Sequence, residues 1–163
     1  MALAGVGVDM VDIARMERVL GRTPRFAQRV FTEEERLYCE GTARPAAHFA
    51  CRFAAREAVL KALGCGFAKG VSYADVSVAQ DAAGRPRVVL AGRAKEIARE
   101  RGVLDVAISL SSTRDMAVAS AVATTAETAP KAEDKPDPKR ELEATFREAR
   151  SLIDELERVQ DGK

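Results

Sequence analysis

The apolar and polar positions at the start of the chain predict a buried strand followed by a helix. Residues 3–11, LAGVGVDMV, are apolar except for one aspartate, and their two glycines indicate the close approach of another backbone. Asp12 has the side chain of a helix N-cap, which predicts a helix that runs to about Leu20. Gly21 and Pro24 then end that helix.

Two further helices are predicted before the middle of the chain. Thr32 is followed by three glutamates, the composition of a helix N-terminus, which predicts a short helix to about Glu40. A long helix follows from about Pro45 to Leu63, and Gly64 is its C-terminal signal. Large apolar residues occupy one arc of this long helix and small ones the opposite arc. We therefore expect it to be buried.

The next part of the chain predicts strands with one helix among them. The predicted elements are a strand at 72–80, a turn at 81–86, a strand at 87–90, a helix at 92–101, and strands at 105–112 and 116–123. The first two of these strands form a hairpin. This order of elements predicts an α+β fold in which a largely antiparallel sheet wraps on one long buried helix.

The composition changes after residue 123 and divides the chain into three parts. Residues 1–123 form the predicted domain. Residues 124–138 contain three prolines, many charges and no large apolar residue, which is typical of a disordered linker. Apolar residues in 139–163 recur at alternating spacings of four and three, which predicts a short amphipathic helix: Leu142, Phe146, Ala149, Ile153 and Leu156. This helix bundles with its copies, folds back on the domain or contacts a partner, and the sequence does not decide among the three.

The composition favours a soluble, cytoplasmic protein. The chain has 163 residues, of which 47% are hydrophobic and 31% are charged. No apolar run approaches the ~20 residues of a membrane span, and the N-terminus lacks the basic start of a signal peptide. Cys39, Cys51 and Cys65 have neither a metal-ligand spacing nor an even count, which indicates reduced thiols.

The net charge of +1 hides a local basic segment. Residues 1–123 hold 18 basic and 14 acidic residues, whereas residues 124–163 hold 8 and 11. Five arginines and only one acid lie between Ile13 and Arg29. This segment predicts an acidic partner, because nucleic-acid binders usually have a wider basic field with interleaved aromatic residues.

Charged residues on the long helix point to chemistry, because an unpaired buried charge is costly. Glu57 and Lys61 lie one turn apart, and one reading is that they pair with each other while the arginines of the helix extend outward. The other is that Glu57 binds a divalent cation and Lys61 a phosphate. Mg²⁺ prefers one or two carboxylates plus phosphate oxygens. Asp9, at the end of an apolar glycine-containing strand, is the candidate for the second carboxylate.

Several separated segments together resemble a known family. The segments GVGVDMVDIARM, RFAQRVFTEEE and RFAAREAVLKALGCG occur in this order and at natural spacing. They resemble holo-acyl-carrier-protein synthase, the short bacterial type of 4′-phosphopantetheinyl transferase. The resemblance covers residues 3–123, including the AGRP turn and the ISLSST segment, and the tail from residue 124 lies outside it.

The resemblance implies that a serine of an apo acyl carrier protein attacks the β-phosphate of coenzyme A and that 3′,5′-ADP leaves. Asp9 and Glu57 match the acids of the family that bind Mg²⁺, and Glu57 would also take the serine proton. Lys61 matches the lysine that contacts the phosphates, and Arg56 stands where many relatives have lysine. The other positions implied to bind coenzyme A are Phe53, Gly66, Pro86, Ser111, Ser112 and Thr113.

The resemblance also implies that the arginine-rich segment docks the acidic carrier protein. The matching positions are Arg15, Val19, Arg22, Arg25 and Arg29. Contacts of this kind speed the association of the two proteins and weaken as the salt concentration rises. The alternative is that the arginines form only a solvated basic face. The family further implies a homotrimer with active sites in clefts between subunits, which serves fatty-acid or polyketide synthesis.

Ser112 departs from the family pattern, which usually has a histidine at this position near the phosphates. A serine donates a hydrogen bond but does not titrate near neutral pH. His48 is the only histidine of the chain, and we expect it to pack or to cap rather than to substitute. The departure leaves open an active transferase and a degenerate member that binds coenzyme A or carrier protein without efficient catalysis. A structural subunit of a larger synthase is a third possibility.

Overall fold

The computed structural model describes residues 5–68 and 70–129, and these residues contain five strands and five α-helices. The strands are β1 (Gly5–Asp12), β2 (Val76–Gln80), β3 (Pro86–Leu90), β4 (Val103–Ser112) and β5 (Met116–Thr125). The helices are α1 (Ile13–Arg22), α2 (Pro24–Val30), α3 (Glu33–Glu40), α4 (Pro45–Ala62) and α5 (Gly92–Glu100). The described residues belong to one compact unit that ends at Ala129.

Short-range hydrogen bonds fix the starts of the helices. Helix α1 begins where the Asp12 carboxylate accepts a hydrogen bond from the backbone N–H of Arg15, at 2.6 Å. Helix α3 begins with a reciprocal pair of bonds, in which Thr32 Oγ1 accepts from the Glu35 N–H and the Glu35 carboxylate accepts from the Thr32 N–H. The chain leaves α4 through Gly64, at a φ of +63°. The helix boundaries predicted at these residues are confirmed.

Helix α2 differs from the prediction, in which Pro24 only ends a helix. Pro24 instead begins α2, and Thr23 alone separates α2 from α1. Proline is well tolerated at the first position of a helix, because its missing N–H has no intrahelical partner there. As a result Arg25 and Arg29 lie on a second short helix.

The strands form two antiparallel sheets within the described residues, where the sequence predicted one. Strand β5 lies between β1 and β4 in a three-stranded sheet, and β2 pairs with β3 in a separate hairpin. The predicted hairpin is confirmed, with Val78 opposite Val88, and so is the β4–β5 pair, with Ser109 opposite Ser120. Pro86 opens β3 without a backbone N–H, which is typical of an edge strand.

Helix α4 packs directly on β1 and β5 because the strand residues at that contact are small. The inward positions of β5 are all alanines: Ala117, Ala119, Ala121 and Ala123. On β1 the inward positions include two glycines. A Cβ on Gly5 would lie 2.0 Å from the carbonyl oxygen of Ala62, and a Cβ on Gly7 would lie 1.9 Å from that of Ala58. The close approach predicted from the glycines is confirmed.

We expect Gly7→Ala to lower the free energy of unfolding by about 3 kcal/mol or more, because the new methyl group meets backbone and α4 must shift away from β1. Gly21→Ala is the matched control, since a Cβ on Gly21 has no neighbour within 4 Å and alanine favours a helix. Denaturant unfolding of both variants checks the prediction. Equal stability of Gly7→Ala and Gly21→Ala would contradict the close packing of β1 on α4.

The end of the domain extends slightly past the predicted boundary. Strand β5 continues to Thr125, two residues beyond residue 123. The rest of the predicted linker from residue 130, and the helix predicted at 139–163, lie outside the described residues. The cysteines of the described part are buried free thiols. No helix among the described residues has the length and apolar character needed to cross a bilayer.

Candidate functional site

Asp9 and Glu57 line one cavity of about 470 Å³, which we call the carboxylate cavity. The alternation along β1 places Asp9 on the same side as Gly5 and Gly7, toward α4. Glu57 precedes Ala58, the residue whose backbone Gly7 contacts. The tight packing of strand on helix therefore brings together two carboxylates from distant parts of the sequence. The rest of the lining includes a third carboxylate, that of Asp12 at the start of α1, together with Met10, Val11, Arg15, Met16, Val19, Phe26 and Phe53.

Lys61 connects β1 to α4 at this cavity. Its Nζ lies 2.7 Å from Asp9 Oδ1 and donates a second hydrogen bond to the carbonyl oxygen of Val8 at 3.0 Å. The Lys61 side chain is 49% exposed, whereas that of Asp9 is only 18% exposed. The ammonium group is therefore accessible from solvent while it compensates the more buried carboxylate.

The surroundings of Glu57 disfavour its charged form. Burial raises the pKa of the Glu57 carboxyl above its ordinary value, the Asp9 carboxylate raises it further, and Lys61 opposes both effects. A cation shared by the two carboxylates would relieve their repulsion. Two carboxylates suit Mg²⁺ when phosphate oxygens complete its coordination. No group of three or more His, Cys, Asp or Glu side chains that could hold a metal occurs in residues 5–68 and 70–129. Water or the phosphate oxygens of a bound molecule would complete the coordination of a metal held by Asp9 and Glu57.

Aromatic side chains form an apolar wall next to the carboxylates. Phe53 lies one turn before Glu57 on α4, and its ring centroid is 6.2 Å from that of Phe26 and 5.9 Å from that of Tyr73. The Tyr73 ring in turn contacts Phe67, at 4.2 Å between centroids. The wall reaches the turn that follows α4. It provides a surface for an apolar or aromatic part of a ligand.

Arg56, which the resemblance implies to bind coenzyme A, lies in the core of the chain. Its side chain is fully buried, and its guanidinium forms an ion pair with the buried Glu35 carboxylate. Its Nε donates to the carbonyl oxygen of Tyr73, and its Nη1 donates to that of Arg52. The guanidinium also lies 4.8 Å from the centre of the Phe31 ring. Arg56 therefore connects α3, α4 and the turn before β2 inside the core, and does not line the carboxylate cavity.

Three other predicted residues line a second cavity of about 260 Å³, which we call the serine cavity. Pro86, Ser111 and Ser112 lie there, at the start of β3 and the end of β4. Its other residues are Tyr38, His48, Cys51, Arg52, Gln80, Gly84 and Leu110. No residue lines both the serine cavity and the carboxylate cavity. Phe53 and these three residues, all predicted to bind coenzyme A, thus line different cavities of one chain.

The last two predicted coenzyme A residues lie in turns. Gly66 follows α4 with a φ of +56°, and a Cβ added there would have open space around it. Thr113 lies in the turn between β4 and β5, where its N–H donates to the carbonyl oxygen of Met116. The Thr113 carbonyl oxygen accepts from Arg44. Neither residue lines the two cavities described above.

The sequence assigned no role to Arg52, and one of its two interpretations had the arginines of the long helix extend outward. It is only 4% exposed, and it lines the serine cavity. Its guanidinium carbon lies 4.1 Å from the centre of the Tyr38 ring, and its Nε has no hydrogen-bond partner among the residues that the structure describes. Burial without an acidic partner among the described residues marks Arg52 as a candidate functional residue. Only a structure shows this combination.

The predicted docking residues form an exposed basic surface on α1 and α2. Four arginines are exposed and one apolar residue among them is half-buried: Arg15, Arg22, Arg25, Arg29 and Val19. None of these arginines forms an ion pair with another described residue. Because Arg15 and Val19 also line the carboxylate cavity, the basic surface is continuous with that cavity.

A larger cavity of about 770 Å³ contains none of the predicted residues. It lies between α1, the start of α4 and the β4–β5 turn, and its lining includes Glu17, Arg44 and Asp115. Its walls carry exposed side chains of both charges. Size alone therefore does not identify the functional site in this protein.

Curated relatives agree with the resemblance read from the sequence. A holo-[acyl-carrier-protein] synthase of Moorella thermoacetica is 48% identical over 105 residues, which cover 64% of this chain and 81% of that protein. One of Vibrio campbellii is 42% identical over 123 residues, which cover 75% of this chain and 98% of the relative. The family described as the 4′-phosphopantetheinyl transferase superfamily matches residues 5–126.

Solved structures have the same fold. The crystal structure of holo-[acyl-carrier-protein] synthase from Neisseria meningitidis has a TM-score of 0.67 at 34% identity, and covers 74% of this chain and 98% of its own. One from Bacillus anthracis in complex with CoA (3′,5′-ADP) has a TM-score of 0.61 at 32% identity, with 74% and 96% covered. They share the mixed α/β fold with antiparallel sheets. The chain therefore belongs to the 4′-phosphopantetheinyl transferase superfamily, as an enzyme of the holo-[acyl-carrier-protein] synthase type.

Proposed function

We propose that this protein transfers the 4′-phosphopantetheine group of coenzyme A to a serine of an apo acyl carrier protein, with release of 3′,5′-ADP and with Mg²⁺ held by Asp9 and Glu57. The observation that carries the proposal is the carboxylate cavity, which Asp9 and Glu57 line together and where the Lys61 ammonium pairs with Asp9. A solved relative from Helicobacter pylori, 28% identical, is in complex with coenzyme A, which supports this donor.

The charged residues have separate roles in the proposed reaction. The serine oxygen bonds to the β-phosphorus, the bond from that phosphorus to the bridging oxygen breaks, and the leaving charge stays on 3′,5′-ADP. Bound Mg²⁺ supplies positive charge to the diphosphate oxygens. Glu57 accepts the serine proton as the general base. The accessible ammonium of Lys61 stabilises the negative charge on the leaving phosphate.

Two features support a homotrimer with active sites between subunits. Among the residues predicted to bind coenzyme A, Phe53 lines the carboxylate cavity, whereas Pro86, Ser111 and Ser112 line the serine cavity. A ligand that contacts both groups would therefore fit a site shared by two neighbouring subunits. The outer face of the three-stranded sheet also exposes apolar side chains: Val6 is 64%, Val8 51% and Met10 59% exposed. A row of this kind is typical of a protein–protein interface.

Replacing Arg22 by glutamate tests the docking surface. We expect the KM for carrier protein to rise roughly tenfold or more while the KM for coenzyme A stays nearly constant, because like charges would face each other across the interface. Arg99→Glu on α5 is the matched control, since Arg99 is exposed and the charge change is the same. Steady-state kinetics at low salt checks both variants. Equal effects of the two substitutions would contradict docking on α1.

The proposed reaction is tested by intact-mass measurement. Purified protein is incubated with coenzyme A, Mg²⁺ and an apo acyl carrier protein, and an active family member serves as the positive control. We expect the carrier protein to gain the mass of one phosphopantetheine group, and we expect EDTA to prevent the gain. No gain beside an active control would contradict the proposal.

Ser112 favours one alternative, a family member that binds coenzyme A or carrier protein without efficient catalysis. Serine replaces a titratable side chain there and cannot transfer protons near neutral pH. The same mass measurement separates the two functions, because the alternative predicts binding of coenzyme A without a mass gain. The retained Asp9, Glu57 and Lys61 favour the enzyme.

A further inference from the structure

The serine cavity contains a buried positive charge that no carboxylate of residues 5–68 and 70–129 neutralises. Arg52 is 4% exposed, its Nε has no hydrogen-bond partner, and no described carboxylate lies within ion-pair distance of it. An unpaired buried charge is unfavourable by several kcal/mol in general. A site with this composition favours an anion, and guanidinium groups bind phosphate as well as carboxylate groups with two parallel hydrogen bonds.

His48 lies in the same cavity, one turn before Arg52 on α4. The two side chains contact the same ring: the His48 ring meets Tyr38 edge-on at 5.5 Å between centroids, and Arg52 stacks on Tyr38 at 4.1 Å. Tyr38 therefore holds both side chains in place. Ser112 completes the polar part of the cavity.

We propose that His48 and Arg52 together bind one phosphate group of coenzyme A, and that His48 takes up a proton when this phosphate binds. The inference rests on the proposed function for the identity of the ligand. It assigns a ligand-binding role to a histidine that the sequence suggested would only pack or cap. His48 would then supply a titratable group to the cavity, where Ser112 cannot titrate near neutral pH.

The charges around His48 explain why protonation waits for the ligand. Burial lowers the pKa of His48 below its ordinary value, and the positive charges of Arg52 and Arg44 lower it further. The other groups that line the cavity include no carboxylate: Tyr38, Cys51, Gln80, Gly84, Pro86, Leu110, Ser111 and Ser112. Burial raises the pKa of the Cys51 thiol, so that the thiol is uncharged near neutral pH. A bound phosphate would be the first negative charge beside the imidazole.

The direction of the pH dependence follows from this arrangement. Phosphate binding raises the pKa of His48, so that the complex binds more protons than the free protein. The gain in affinity is complete below the pKa of the free protein and is lost as pH rises through the pKa of the complex. A pKa rise of about one unit corresponds to roughly tenfold tighter binding at low pH.

Proton NMR measures this pKa directly, because His48 is the only histidine of the chain. A tag-free sample of the full chain is titrated from about pH 5 to about pH 8 without ligand, with coenzyme A and with 3′-dephospho-coenzyme A. We expect coenzyme A to raise the pKa by about one unit. Loss of the rise with the dephospho form identifies the 3′-phosphate as the bound group, and an unchanged rise identifies the diphosphate.

A His48 variant completes the test, and two different negative results separate an error about His48 from an error about the proposed function. In His48→Gln we expect fewer protons to be taken up on coenzyme A binding than in the wild type, measured by calorimetry at one pH in two buffers of different ionisation enthalpy. If coenzyme A shifts other resonances but leaves the His48 pKa unchanged, the inference about His48 is wrong and the proposed function stands. If coenzyme A shifts no resonance and gives no binding heat, the proposed function itself is wrong.

Discussion

Glu57→Gln is expected to lower the turnover number for phosphopantetheine transfer by roughly 10³-fold, since general base catalysis alone contributes about 10²–10⁴-fold. The amide cannot accept the serine proton and is a poorer ligand for Mg²⁺ than a carboxylate. The substitution preserves the shape of the side chain and removes the negative charge that Asp9 repels and Lys61 attracts. Single-turnover kinetics with an apo carrier protein measures the effect.

Glu34→Gln on α3 is the matched control, because Glu34 is exposed and outside both cavities. We expect it to retain wild-type turnover, and we expect both variants to unfold at nearly the wild-type denaturant concentration. A Glu57→Gln variant with turnover similar to that of Glu34→Gln would show that Glu57 is not part of the reaction.

Glu35→Gln is expected to produce the largest loss of stability, about 3–5 kcal/mol, because it leaves the fully buried Arg56 without its counter-charge. The Glu35 carboxylate also accepts from the Val78 N–H at 2.9 Å and from the Thr32 N–H at 3.0 Å, so that it connects α3, α4 and β2. Denaturant unfolding measures the loss.

Two comparisons isolate the ion pair from its neighbourhood. Glu33→Gln, at an exposed position of the same turn, should change stability little. In a double-mutant cycle, Glu35→Gln combined with Arg56→Met should be less destabilised than the sum of the single variants, because the unpaired charge is then removed. Strict additivity would mean that the two side chains do not stabilise each other.

Local signals made most of the fold predictable from the sequence. The Asp12 and Thr32 caps and the Gly64 stop are decided by residues within one helical turn, and the helix ends lie at or beside the predicted residues. Helix α2 was missed because Pro24 ends one helix and begins another, and sequence alone does not separate the two roles. The division into two sheets depends on contacts between strands that no local pattern encodes.

The candidate site was predictable only in part, for the same reason. The glycines of β1 indicated a close contact, and Asp9 and Glu57 line one cavity at that contact. Arg56 carries no local sign that its guanidinium points to Glu35, which lies on another helix. The shared cavity of His48 and Ser112 likewise arises from the packing of α4 on β4.

The central claim is that Asp9 and Glu57 together bind one Mg²⁺ in the presence of coenzyme A. The most direct test is calorimetric titration of Mg²⁺ into coenzyme A complexes. The proteins compared are the wild type, Asp9→Asn, Glu57→Gln and the double variant. We predict one ion per active site in the wild type. We also predict a strong loss of affinity in each single variant and little further loss in the double variant, because the residues share one ligand. Wild-type affinity in either single variant would contradict the claim.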